Sequence, residues 1–122
     1  MNRIEAIFEE LRRAQRKALM PFICGQHPGP GATPVVLQAL QHAGASIVEI
    51  GIPFSDPIAD GPVIAAAMHN ALERGATMDG LLGEVAAARA NLSLGLVAMC
   101  SVSILHRLAA SSNAAGVVAR FK

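Results

Sequence analysis

Three short apolar runs, each set off from helical segments by glycine, proline or polar residues, constrain this chain more than any other feature of its sequence. The runs are 18–24 (ALMPFIC), 46–50 (SIVEI) and 94–99 (LGLVAM). Each is too short for a globular helix and rich enough in aliphatics for a buried strand. A strand, a loop and then a segment of helical period recur along the chain, and this order argues for a parallel sheet with helical crossovers. A doubly wound sheet and part of a barrel both satisfy it, and periodicity alone does not choose between them.

The helical segments carry their own punctuation. Ile4, Ile7, Phe8 and Leu11 stand at i, i+3, i+4, i+7 and form one apolar stripe, with Asn2 and Glu5 spaced as a capping pair. Pro21 sits awkwardly inside the first strand run, where it removes a ladder donor. Residues 25–32 hold three glycines and two prolines and read as loop. Thr33 is expected to cap the next helix with Pro34 at its first position, Val36, Leu37 and Leu40 on its buried stripe and Gly44 at its end. In the second strand, alternation puts Ile47 and Glu49 on one face and Val48 and Ile50 on the other. Residues 51–61 read as loop. Pro62 opens a helix running to about Gly75, and Thr77 caps another that carries Leu81, Leu82 and Val85. The tail, 103–122, reads as partly helical with a break near 111–113.

Composition narrows the class. Apolar residues make up 52% of the 122-residue chain, enough for one buried core, and a net charge of +1 argues against a nucleic-acid or acidic-substrate surface. The cluster Arg12, Arg13, Arg16 and Lys17 reads as a solvated helix face. Cys24 and Cys100 lie in apolar runs and read as small buried thiols rather than a disulfide framework. The start is charged and amphipathic, unlike a signal peptide, and no apolar stretch approaches the ~20 residues that span a bilayer. A cytoplasmic setting with no membrane contact follows as the expectation. His27, His42, His69 and His106 lack partners at metal-ligand spacing and read as solvated, so no metal site is expected.

The chemistry concentrates in residues 49–62, EIGIPFSDPIADGP, where Glu49, Asp56 and Asp60 fall within twelve residues. Glu49 stands near the carboxyl end of a strand, the edge where α/β folds bind ligands. A carboxylate facing inward among aliphatics is expected to hold its proton more tightly, which suits proton transfer near neutral pH. Asp60 precedes a helix whose amino terminus favours the ionised form. Two acids in different environments can divide the work, one moving a proton and one remaining an anion. Each also has a structural alternative: Asp60 as a helix cap, Glu49 as the partner of a basic residue in a later strand.

The segment 49–62 resembles, nearly residue for residue, the signature of the tryptophan synthase alpha chain family. The likeness extends to 19–23 (LMPFI), 43–45 (AGA), 75–77 (GAT), 96–99 (LVAM) and 103–104 (SI), and covers the chain to about Arg107. It implies a (β/α)8 barrel, of which this chain supplies an N-terminal helix and about three βα units, as a single incomplete domain over 1–122. It implies the aldol cleavage of indole-3-glycerol phosphate to indole and glyceraldehyde 3-phosphate in tryptophan biosynthesis. Glu49 then matches the acid/base residue, Asp60 the carboxylate that accepts the indole N–H, and Phe22 an apolar contact to the ring. Asp56 and Pro57 match the loop that touches the beta subunit, the partner in an alpha2-beta2 tetramer. Pyridoxal phosphate belongs to that partner, and no cofactor is implied for this chain.

The sequence departs from the family pattern in two places. An Asp usual after the first strand is replaced by His27, and a Tyr usual after the third by Val102. Such a barrel needs about 250 residues, and its phosphate site is built by loops after strands seven and eight. The 122-residue chain by itself is therefore expected not to cleave the substrate. The alternative is a non-catalytic remnant or interaction module that keeps the beta-contacting loop.

Overall fold

A computed structural model describes residues 1–110 of the chain. Its elements run α1 (Arg3–Arg13), β1 (Phe22–Cys24), α2 (Ala32–His42), β2 (Ile47–Gly51), α3 (Pro62–Glu73), α4 (Met78–Arg89), β3 (Gly95–Met99) and α5 (Val102–Ala110). The strands form one parallel sheet in the order β1-β2-β3. The break expected near 111–113 lies outside the described residues.

Local chemistry explains most of the boundaries. Asn2 caps α1 by accepting from the Glu5 backbone N–H (2.9 Å), while the Glu5 carboxylate accepts from the Asn2 N–H (2.9 Å), a reciprocal capping box. Thr77 Oγ1 accepts from Gly80 N and caps α4, as expected. Gly44, with φ of 97°, ends α2 in the left-handed conformation that glycine adopts without penalty. β1 starts only at Phe22, because Pro21 has no N–H to add to the ladder; its carbonyl still accepts from Glu49 N (2.9 Å).

One cap differs from expectation. α2 begins at Ala32 with Gly31 as its N-cap, and Thr33 lies inside the helix. Thr33 is 2% exposed, and its hydroxyl accepts from the Gln26 N–H at 2.8 Å. The Thr33 side chain thus serves the preceding loop instead of the helix.

The core lies between the sheet and α2, α4 and α5. Val48 and Ile50 face Leu37 of α2, Leu81, Val85 and Ala88 of α4, and Ile104 of α5 in one apolar cluster. Ile23, Leu96 and Ala98 join it from the flanking strands. Truncating a fully buried member such as Leu37 or Leu81 to Ala costs about 2–5 kcal/mol. The opposite face of the sheet is covered at its amino-terminal end by α1. Ile4 and Ile7 reach over Gly95, where a Cβ would lie 3.1 and 3.2 Å from their side chains. Arg3 anchors the same helix by donating to the carbonyls of Leu92 (2.8 Å) and Leu94 (3.3 Å). The carboxyl-terminal half of that face carries the residues of interest.

Candidate active site

In-register partners of a parallel sheet project to the same side. Phe22, Glu49 and Val97 therefore form one row across the face opposite the helix-packed core, and Cys24, Gly51 and Met99 form the next row toward the strand ends. At Gly51 a side chain could be added only by displacing a neighbour. A Cβ there would meet Phe22 Cζ at 2.5 Å and Met68 Cε of α3 at 3.5 Å. The Phe22 ring thus leans along the sheet toward the strand ends, beside α3.

Both acids singled out in the sequence are half-buried, and neither carboxylate takes a hydrogen bond or ion pair from another described residue. The structural alternatives fail on this point. α3 is capped by the extended backbone of Gly61, with Pro62 at its start and no side-chain cap bond, so Asp60 does not cap it. No basic side chain among the described residues pairs with Glu49. Asp60 stands close enough to Cys24 for its charge to act there: burial first, and the Asp60 carboxylate second, push the thiol up to about 11. The two cysteines are half-buried free thiols, with Cys100 just past the end of β3.

The segment before Asp60 folds as a tight turn, in which Ile58 N donates to the Asp56 carbonyl (2.9 Å) and Asp60 N to that of Pro57 (3.3 Å). Asp56 is exposed, Pro57 is half-buried, and Ile58 is 87% exposed, an apolar side chain held in solvent. His69 Nε2 lies 3.2 Å from the Ser55 carbonyl and ties the loop back to α3.

Beside β1, between α2 and α3, lies a cleft of about 290 Å³ lined by Phe22, Cys24, His27, Val36, Val63 and Ile64. His27 is half-buried against it, not solvated as its loop position suggested. The remaining histidines, His42, His69 and His106, are exposed. Val102 opens α5 and is 67% exposed.

Gln26 and Glu84 escaped the sequence reading. Gln26 is 2% exposed; its Oε1 accepts from Thr77 N (2.9 Å) and its Nε2 donates to Glu84 Oε1 (2.8 Å). The same Glu84 oxygen accepts from Gly31 N (2.5 Å). A signal was present: Glu84 stands three residues after Leu81 and one before Val85, on the stripe that α4 buries.

Three parallel strands with helical crossovers make an α/β unit, and its superposition on solved alpha subunits places it as the amino-terminal portion of a (β/α)8 barrel. Residues 8–117 match the family model described as Tryptophan synthase alpha chain, and the chain belongs to that family. A tryptophan synthase alpha chain from Nitratidesulfovibrio vulgaris (strain DP4) is 47% identical over 98 residues, which cover 80% of this chain and 38% of the relative. One from Burkholderia ambifaria is 40% identical over 123 residues, covering 96% of this chain and 45% of the relative. The crystal structure of tryptophan synthase subunit alpha from Legionella pneumophila superposes with a TM-score of 0.90 at 33% identity, covering 98% of this chain and 46% of that one. A tryptophan synthase from M. tuberculosis, solved in an aminoacrylate-bound form, gives 0.84 at 30% identity, covering 98% and 49%. The chain thus spans less than half the length of the relatives it matches. Among the described residues, no helix is long and apolar enough to cross a membrane.

Proposed function

We propose that this chain supplies the first three βα units of a lyase site that cleaves indole-3-glycerol phosphate to indole and glyceraldehyde 3-phosphate. The observation that carries the reading is the pair of uncommitted carboxylates at the strand ends: Glu49 in register with Phe22, and Asp60 acting on Cys24, one row further on. Carbon–carbon cleavage needs a proton delivered to indole C3, positive charge held on the ring nitrogen, and removal of the side-chain hydroxyl proton as the carbonyl forms. Glu49 moves the protons. The Asp60 carboxylate accepts the indole N–H, which stabilises the developing cation. Phe22 packs on the apolar ring.

The loop holding Asp56 and Pro57 is the surface offered to a beta subunit, which takes the released indole and carries pyridoxal phosphate. The exposed Ile58 at its tip supports that use. Residues 1–122 act as one incomplete barrel domain in this scheme, in a cytoplasmic setting. The phosphate of the substrate is held in such barrels by loops after strands seven and eight, which a three-stranded unit does not contain.

The test is complementation. The 122-residue chain is mixed with a polypeptide carrying strands four to eight of an alpha chain, and indole release is followed. Release by the mixture and by neither part alone is the expected result. A folded complex that releases no indole would overturn the assignment.

A further inference from the structure

We propose that Gln26 and Glu84 are positioning residues that clamp the loop between β1 and α2 in place at the ligand face. The loop leaves β1 directly after Cys24 and carries His27 to the cleft beside Phe22. Such a loop normally runs over the surface and moves. Here its second residue is buried with φ of 54°, a left-handed conformation that a side chain makes costly. Something must therefore hold it.

Four hydrogen bonds do. The Gln26 N–H donates to Thr33 Oγ1, its Oε1 accepts from Thr77 N, its Nε2 donates to Glu84 Oε1, and Gly31 N donates to that same oxygen. The clamp thus grips both ends of the loop, Gln26 and Gly31, and fastens them to α4. Gly25 packs against the same helix: a Cβ there would sit 2.5 Å from Leu81 Cδ2. Glu84 Oε2, buried and without a partner, adds a cost that the bonds to Oε1 must offset. Keeping a half-satisfied carboxylate on a buried stripe is explained by what Oε1 holds. The importance of the loop for turnover rests on the lyase reading above, whereas the clamp itself does not, so the experiment requires no turnover.

Cys24 reports on the loop. It adjoins Gly25, and its ionisation is suppressed by burial. Freeing the loop exposes the thiol and lets it ionise, and each unit by which its pKa falls gives about tenfold more thiolate. The measurement is the alkylation rate of Cys24 in the full 122-residue chain by a small neutral maleimide, with Cys100 read in the same sample by peptide mass. Gln26→Gly removes both side-chain bonds while relieving the backbone conformation, and Glu84→Ala removes the shared acceptor. Both are expected to accelerate Cys24 about tenfold or more and to leave Cys100 unchanged. Glu84→Gln, which keeps an acceptor oxygen, is expected to stay near the wild-type rate. Unchanged Cys24 rates in Gln26→Gly and Glu84→Ala would overturn the proposal. So would equal acceleration of both thiols, which would mean that these bonds support the fold as a whole and not the position of the loop.

Discussion

The Phe22 ring lies so close over Gly51 that a Cβ at residue 51 would come within 2.5 Å of its Cζ. The two residues therefore form one unit: the bare backbone of β2 makes the seat for the ring on β1. Gly51→Ala is expected to lower stability by about 1–2 kcal/mol by displacing that ring. In a Phe22→Ala background the same substitution should cost little, because the obstacle is gone. Urea unfolding midpoints of the four proteins in the cycle check this, and additive losses would show that the contact does not matter.

The first helix is held by three separate devices, so its loss can be staged. Asn2→Ala removes half of the capping box and is expected to cost about 1 kcal/mol. Gly95→Ala puts a methyl 3.1 Å from both Ile4 Cγ1 and Ile47 Cγ1 and should cost at least as much, by lifting α1 from the sheet. Thermal melts give the size of each effect. Limited proteolysis should cut within 3–17 sooner in Gly95→Ala than in the parent.

Stability should also fall in alkali through Cys24. Its thiol is raised from 9.0 to about 11 in the folded chain by burial and by Asp60. The folded state therefore holds this proton more tightly than the unfolded state between those values. The contribution is complete below about pH 9 and is lost as pH rises toward 11. For a half-buried group screened by solvent, the loss amounts to about 1 kcal/mol. Urea midpoints at pH 8 and pH 10.5 should diverge more for the wild type than for Cys24→Ala.

The exposed turn around Asp56 and Ile58 leads to a prediction about partners. Added to a tryptophan synthase beta subunit, the chain is expected to raise the rate at which indole is converted to tryptophan. Ile58→Asp should abolish that gain without altering the melting temperature, because the side chain is 87% exposed. No change in rate at saturating chain would count against a beta-facing loop.

Much of this was legible in the residues, and the exceptions have physical causes. Short apolar runs located the three strands and helical patterns the first four helices, and the tail read as partly helical holds α5, because buried faces leave a trace in the order of apolar residues. The segment 49–62 identified the family, since its mixed composition is hard to reach by chance. Thr33 misled because a Thr before a Pro resembles a helix cap, whereas its hydroxyl bonds a loop N–H seven residues back. Pro21 shortened β1 through a missing donor. Asp60 looked like a cap, but Gly61 took that place with its backbone alone. Gln26 and Glu84 stayed hidden because their partners lie on different elements, 58 residues apart in the chain. Only the acid on the apolar stripe of α4 hinted at them.

The most direct test is the effect of Glu49→Gln on indole release by the chain complemented with strands four to eight. The substitution keeps the size and shape of the side chain and removes its charge together with its ability to exchange a proton. Loss of turnover by about 10²–10⁴-fold in a complex that still assembles is the predicted result. Indole release at the parental rate would contradict the role assigned to Glu49 and, with it, the reading of this sheet face as a lyase site.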